Sequence, residues 1–267
     1  MKSFSQAITV FILFYIIFVG IMYVLQRKLL YYPWKARPSL GNLKGVYSEV
    51  QTQTEDQLTL THWYAKRGRP YVVIFHGNAG NIEGRGYKFK FLVDQGYSVL
   101  LVSYRGYGGN LGQPTEKDLI SDSSLALEWL LRKEGISSKE VILLGESLGS
   151  GVAVALAAKY PVKGLIFDGA YSSISDVGQS VYPLLPVRWL LKDTWNSKDR
   201  IQKVQSPILF IHSKRDKVIP FRFAARLFEA AHEPKKHIWL EQTDHNDNLQ
   251  TETVRNSIVK FIQSLWK

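Results

Sequence analysis

Three patterns of apolar and polar positions divide the chain. The first is an uncharged apolar run at residues 7–25, "AITVFILFYIIFVGIMYVL". About nineteen helical residues at roughly 1.5 Å rise each span the hydrocarbon core of a bilayer. The run is longer than the apolar part of a signal peptide, and no small-x-small cleavage site follows it. Gln26, Arg27, Lys28 and then "LLYYPW" follow instead. Cations and aromatic rings at that point suit a membrane–water interface. The pattern predicts an uncleaved single-pass transmembrane helix whose partner is the lipid bilayer. Arg27, Lys28, Lys35 and Arg37 outnumber Lys2 on the opposite flank. That bias predicts a cytoplasmic body.

The second pattern is an alternation of short apolar runs with helical periodicity. "VYSEVQT" and "LTLTHWYA" alternate in polarity and predict an antiparallel strand pair. "YVVIF", "YSVLLVSY", "VILLG", "GLIFD", "PILFIH" and "KHIWL" are continuous apolar runs, as expected of strands buried on both faces. Helices are predicted between them at 82–95, 116–133, 148–159, 221–231 and 248–266. Strands separated by helices of this length imply a mostly parallel central sheet with helices on both faces, an α/β fold. Ligands then gather at the carboxyl ends of the strands.

The third pattern is an interruption. Residues 171–205 contain "VYPLLPVRWLLKDTWNSKDRI", an aromatic and leucine-rich stretch that does not return as one helix. Placed after a strand, it predicts a short cap insertion over the site. The expected division is therefore an anchor and interfacial segment at 1–33, a Pro- and Gly-broken linker at 34–45, and an α/β domain at 46–267 carrying the insertion.

Composition narrows the function. A hydrophobic fraction of 45% with 21% charged residues excludes a disordered chain. The net charge of +11 comes from Lys and Arg scattered along the chain without a nucleic-acid motif, so no nucleic-acid partner is expected. The absence of cysteine removes disulfides, thiolate metal sites and a cysteine nucleophile. His-x-x-x-His spacing and acidic ligand clusters are missing too. Neither a metal nor a cofactor is expected.

Gly145-Glu146-Ser147-Leu148-Gly149 fits G-x-S-x-G and lies between a predicted strand and a predicted helix. In that context the glycines make room for a sharp turn that exposes a serine nucleophile. A serine needs a base, and an acid should precede that base in the chain. Of the six histidines, His245 alone lies in a loop between the last strand and the last helix. His62, His76 and His212 fall within or at the ends of strands, and His232 and His237 in polar surroundings. Asp216, four residues past "PILFIH", suits the acid that orients the imidazole. Asp168 at an earlier strand end is a rival, while Asp244 and Asp247 are merely adjacent in sequence. The oxyanion hole is assigned to the backbone N–H groups of Leu148 and Asn78, with Ala79 a near alternative in the loop "HGNAGN". Asn81 in that loop suits a helix N-cap. "YRGYGGNLGQP" lacks the spacing of a phosphate-binding loop and reads as a rigid lining segment.

The anchor with "QRKLLYYP", then "HGNAGN", "YRGYGGNLGQP", "GESLGSG", "HSKRDKVIP" and "DHND" together resemble the α/β-hydrolase fold, and within it the membrane-anchored bud-emergence-suppressor branch of α/β-hydrolase domain-containing proteins. The resemblance covers nearly the whole chain. It implies a serine hydrolase with Ser147, Asp216 and His245 as triad, acting on esters or thioesters of acyl, lipid-like substrates. Ser103 and Asp244 depart from the family pattern, where an aspartate and a small residue are common. A serine peptidase of the aminopeptidase kind and a non-catalytic membrane scaffold are the alternatives on the same fold.

Overall fold

The computed structural model describes residues 2–39, 45, 47–245 and 248–266. The eight apolar or alternating runs form eight strands: β1 (Ser48–Gln53), β2 (Thr59–Ala65), β3 (Gly68–Phe75), β4 (Tyr97–Val102), β5 (Val141–Glu146), β6 (Gly164–Asp168), β7 (Ile208–Ser213) and β8 (Lys235–Leu240). They make one sheet in the order β1-β2-β4-β3-β5-β6-β7-β8. Strand β2 pairs antiparallel with β1 and β4, and every other pairing is parallel. The mostly parallel sheet is the one the alternation predicts, and the architecture is that of the α/β-hydrolase fold implied by the resemblance.

Side-chain alternation explains why the central strands are apolar throughout. Val73, Phe75 and Leu143 enter one core with Leu119 and Leu127 of α3 (Glu116–Glu134) and Val152 of α4 (Leu148–Ala157). Val72, Ile74, Ile142 and Leu144 enter the other with Phe89 and Leu92 of α2 (Gly86–Asp94) and Ile258 of α9 (Glu252–Ser264). Each strand therefore needs hydrophobic residues at successive positions. Helix α3 starts where Thr115 accepts a hydrogen bond from the N–H of Asp118. Asn81 caps as expected, accepting from Glu83 N–H, but opens only a 3₁₀ turn at Ile82–Arg85 before α2. The pair Gly84 and Gly86 accounts for that break in the single helix predicted there.

The insertion forms three short helices, α5 (Ile174–Val181), α6 (Val187–Leu190) and α7 (Ser197–Ile201), separated by Pro183, Pro186 and the positive-φ residue Trp195. Helix α8 (Phe221–Ala230) follows β7. The amino-terminal helix, α1 (Lys2–Leu30), contains an apolar span at Phe4–Leu30 with a mean hydropathy of 2.7. It is long and apolar enough to cross a membrane.

Helix α1 is tied to the insertion. Arg27 forms an ion pair with Asp193 at 2.9 Å. Gln26 accepts from Lys192 N–H at 2.6 Å and donates to Leu190 O at 3.2 Å. The indole N–H of Trp195 donates to Tyr31 Oη at 3.1 Å. The chain after α1 also stays on the body, since Trp34 N–H donates to Gly80 O and Gly108 N–H donates to Trp34 O. The first part of the expected linker is thus packed structure, and residues 40–44 lie outside the described residues.

Leu144 sits at the centre of β5 and is fully buried. Leu144→Ala is expected to lower the unfolding free energy by about 2–5 kcal/mol, measured by urea titration in detergent.

Candidate active site

Strand β5 ends in a turn whose geometry depends on two missing side chains. A Cβ on Gly145 would stand 2.5 Å from Gly149 O, and a Cβ on Gly149 would overlap the carbonyl oxygen of Phe75 in β3. Between them Ser147 adopts φ +48° and ψ −116°, a conformation a non-glycine residue rarely holds. The Ser147 N–H donates to Asp168 O at 2.8 Å, which fastens the turn to the end of β6. Helix α4 begins at the next residue, so its first N–H groups have no intrahelical acceptor.

His245 stands over this turn. Its Nε2 lies 3.0 Å from Ser147 Oγ and its Nδ1 lies 2.6 Å from Asp216 Oδ2. An ionised carboxylate only accepts, so Nδ1 carries the proton and Nε2 is left to accept from the serine hydroxyl. The other oxygen of Asp216, Oδ1, accepts from the N–H groups of Val218 and Ile219 at 2.9 and 2.7 Å. Burial opposes ionisation of Asp216, but the hydrogen bond and charge of His245, with the Ile219 amide, outweigh it and hold its carboxyl below the usual value of 3.8. Burial likewise disfavours the His245 cation. The hydrogen bond and charge of Asp216 prevail and raise the imidazole above 6.5.

The other aspartates are engaged elsewhere. Asp168, the rival acid, receives Lys88 Nζ at 2.7 Å and Asn248 Nδ2 at 2.8 Å. Asp244 accepts from the backbone N–H of His245. Asp247 lies outside the described residues. The other histidines occupy structural positions. His62 is buried between Thr52 and the N–H of Ser103, and burial pulls it down to about 4. His76 packs against the rings of Tyr104 and Tyr107, and burial with the nearby Arg85 charge pulls it down to about 3.

A pocket of about 590 Å³ opens at Ser147 and His245, lined also by Asn78, Tyr32, Arg85 and Tyr87. That volume suits a small-molecule ligand. Asn78 stands in this wall with Ala79, as the loop was expected to. Its side chain donates to Leu30 O at 2.5 Å and accepts from Tyr32 N–H and Tyr107 Oη–H. Leu148 is the first residue of α4 and is buried. None of residues 171–205 lines the pocket among the described residues. The insertion turns its apolar side to α1 instead of roofing the serine.

Sequence reasoning missed the charges beneath the turn. Lys88 is 1% exposed and donates to Glu146 at 2.5 Å and to Asp168 at 2.7 Å. Arg85 completes the cluster, 2.7 Å from Glu146. Burial disfavours every charge here, yet the mutual attraction holds Lys88 well above and Glu146 well below their ordinary ranges. A signal was present: Lys88 lies in the same helical stripe as Phe89, Leu92 and Val93, where a surface lysine is out of place.

A family model described as "Serine aminopeptidase, S33" matches residues 66–196. The bem46 protein of Schizosaccharomyces pombe is 30% identical over 253 residues, covering 87% of this chain and 84% of that one. This chain belongs to the α/β-hydrolase family that includes bem46. Another relative, the uncharacterized protein Rv2307c of Mycobacterium tuberculosis, is 37% identical over 227 residues and covers 83% of this chain and 81% of its own. The lysophosphatidylserine lipase ABHD12 of Danio rerio is 29% identical over 214 residues, which is 72% of this chain and 54% of that protein. Among solved structures, the Pyrococcus furiosus esterase Pf2001 superposes with a TM-score of 0.72 at 18% identity, covering 87% of this chain and 98% of its own, and shares the fold. Membership of the bem46-type family rests on the chain similarity, and the architecture shows the fold.

Replacing Lys88 leaves Glu146 and Asp168 as buried, poorly compensated carboxylates. Lys88→Met is expected to destabilise the protein by about 3–5 kcal/mol, as in other broken buried pairs. Thermal unfolding in detergent reads the effect, and it should shrink as pH falls and the carboxylates protonate.

Proposed function

We propose that this α/β-hydrolase is a membrane-anchored serine hydrolase that cleaves carboxylic ester or thioester bonds of acyl, lipid-like substrates. The reading is carried by the continuous hydrogen-bonded line from Ser147 Oγ through His245 to Asp216, opening on the pocket. His245 Nε2 takes the hydroxyl proton as Ser147 Oγ attacks the acyl carbon. Asp216 holds the imidazole in the accepting tautomer and stabilises the imidazolium. The backbone N–H groups of Leu148 and Asn78 donate to the oxyanion of the tetrahedral intermediate. Collapse breaks the bond to the alcohol or thiol, which leaves with the proton from His245. Water then repeats the sequence on the acyl-enzyme and releases the acid.

The apolar span at Phe4–Leu30 supports the anchor, and the positive flank beyond it favours a body on the cytoplasmic side. Similarity to a lysophosphatidylserine lipase supports a lipid-like substrate. A second reading, aminopeptidase activity through the same serine, is favoured by the description of the family model. Aminoacyl anilides assayed beside p-nitrophenyl acyl esters separate the two. A non-catalytic scaffold would fail to label with a fluorophosphonate.

Ser147→Ala should abolish fluorophosphonate labelling and reduce ester kcat by at least about 10³-fold. Retained wild-type hydrolysis would sink the proposal.

The pH profile tests the base. The proton-accepting form of His245 is neutral, so kcat/KM should rise with pH through the imidazole's pKa, which lies above 6.5. Asp216→Asn removes the charge that raises it. The residual activity is expected to be far lower, with its acidic limb displaced towards lower pH.

A further inference from the structure

The contacts between α1 and the insertion run a long way down the helix. At one end Arg27 pairs with Asp193, and at the other Tyr15 Oη–H donates to Leu184 O at 2.7 Å. Twelve residues separate Tyr15 from Arg27, about 18 Å of helix at 1.5 Å per residue. With Arg27 at the interface, that length reaches roughly the middle of a hydrocarbon core about 30 Å thick. The tip of the insertion therefore stands beside the membrane-spanning part of α1. Its composition agrees, for Leu184 is 84% and Trp189 is 90% exposed. Val181 and Tyr182 add to the same apolar surface. The one cation on the tip, Arg188, is paired with Asp176. Towards the interface, Lys192 lies over the ring of Tyr23 at 4.3 Å, beside Arg27. Cations and aromatic rings gathered at one level, with apolar side chains beyond them, form the profile of a protein surface entering a leaflet.

Between α1 and the insertion lies an apolar cleft of about 140 Å³, lined by Val19, Met22, Leu185, Val187 and Leu190 among others. Its lining on α1 falls between the levels of Tyr15 and Arg27 and continues to Leu30. Leu30 O is held by Asn78, a residue of the Ser147 pocket, and Tyr32 belongs to that pocket's wall. Residues 30–32 are thus the edge shared by the cleft and the site.

We propose that residues 181–191 are embedded in the bilayer beside α1 and that the cleft between the insertion and α1 takes part of one acyl chain of a membrane lipid, bringing its ester end to the edge formed by residues 30–32. This rests on the anchored-hydrolase reading. The occupant is a bilayer lipid because the cleft lies along the membrane-spanning stretch of α1, where an acyl chain is the surrounding solvent. An insertion that lines such a cleft does not need to roof the serine.

The chain has no cysteine, so single labelling sites are clean. Spin labels at Leu184→Cys and at Lys133→Cys, an exposed position on α3, are compared in phosphatidylcholine vesicles by collision with oxygen and with a water-soluble nickel chelate. The label at 184 should be shielded from nickel several-fold more than the label at 133 and favour oxygen. Equal nickel accessibility would overturn insertion. In vesicles containing phosphatidylcholine with a mid-chain diazirine, irradiation should leave adducts at Met22 and Val187. Val187→Trp and, from the opposite wall, Met22→Trp should each cut labelling of the wall left intact several-fold while adducts at the exposed Phe11 and Phe14 persist. Adducts at Phe11 and Phe14 alone, or undiminished cleft labelling in both variants with the 184 label still shielded, would overturn the cleft. Neither readout requires turnover, so loss of ester hydrolysis would count against the hydrolase reading alone.

Discussion

Lys88 is the interaction on which the rest of the site depends. Its ammonium is fully buried and joins Glu146 at the end of β5 to Asp168 at the end of β6. A buried cation has no water to fall back on, so its position is fixed by those two carboxylates. Ser147 follows Glu146 directly, and its N–H is held by Asp168 O. Asn248, which shares the last loop with His245, donates to Asp168 Oδ1. One charge cluster therefore fixes three pieces of chain that must agree to within a few tenths of an ångström: the strained turn, the neighbouring strand end and the loop bearing the imidazole. The strain at Ser147, with its positive φ, is sustained because its surroundings leave it no alternative.

The parts of this arrangement legible in the sequence are those governed by local rules. Continuous apolar runs such as Val141 to Leu144 reveal strands buried on both faces because each side chain must find a core. Ser147 was legible from Gly145 and Gly149, since close backbone approach leaves no room for a Cβ. Asp216 and His245 were legible from their order after the serine. Lys88 was not read because its meaning is non-local: its partners lie 58 and 80 positions away, and only the sheet order brings β5 and β6 together over α2. The direction of the insertion was hidden for the same reason. Its leucines and aromatics announce a buried or embedded face, but nothing local says whether that face meets the serine or α1.

The packing of α1 changes what the amino-terminal segment is. A tethered domain would rotate freely on a linker, whereas here Gln26, Arg27, Tyr31 and Trp34 each bond to the body. Asn78 makes the link most direct. This residue of the pocket wall uses both ends of its side-chain amide to hold the chain as it leaves α1. Displacement of the helix exit is thereby transmitted to a wall of the pocket, so the position of α1 and the shape of the site are not independent.

Two buried aspartates near adjacent strand ends sit in different electrostatic surroundings. Asp168 shares the counter-charge of Lys88 with Glu146 and accepts a hydrogen bond from Asn248. Asp168, together with Glu146, still adds its charge to the raising of the His245 imidazole, but less than Asp216 does. Asp216 faces His212, which burial keeps neutral, and the two neutral amide donors of Val218 and Ile219. Those groups orient its carboxylate without cancelling its charge. The negative charge remains available to the ring of His245, which it holds at 2.6 Å and whose protonated form it favours. Asp216 is the aspartate hydrogen-bonded to the ring, and its hydrogen bond and charge outweigh the contribution of Asp168.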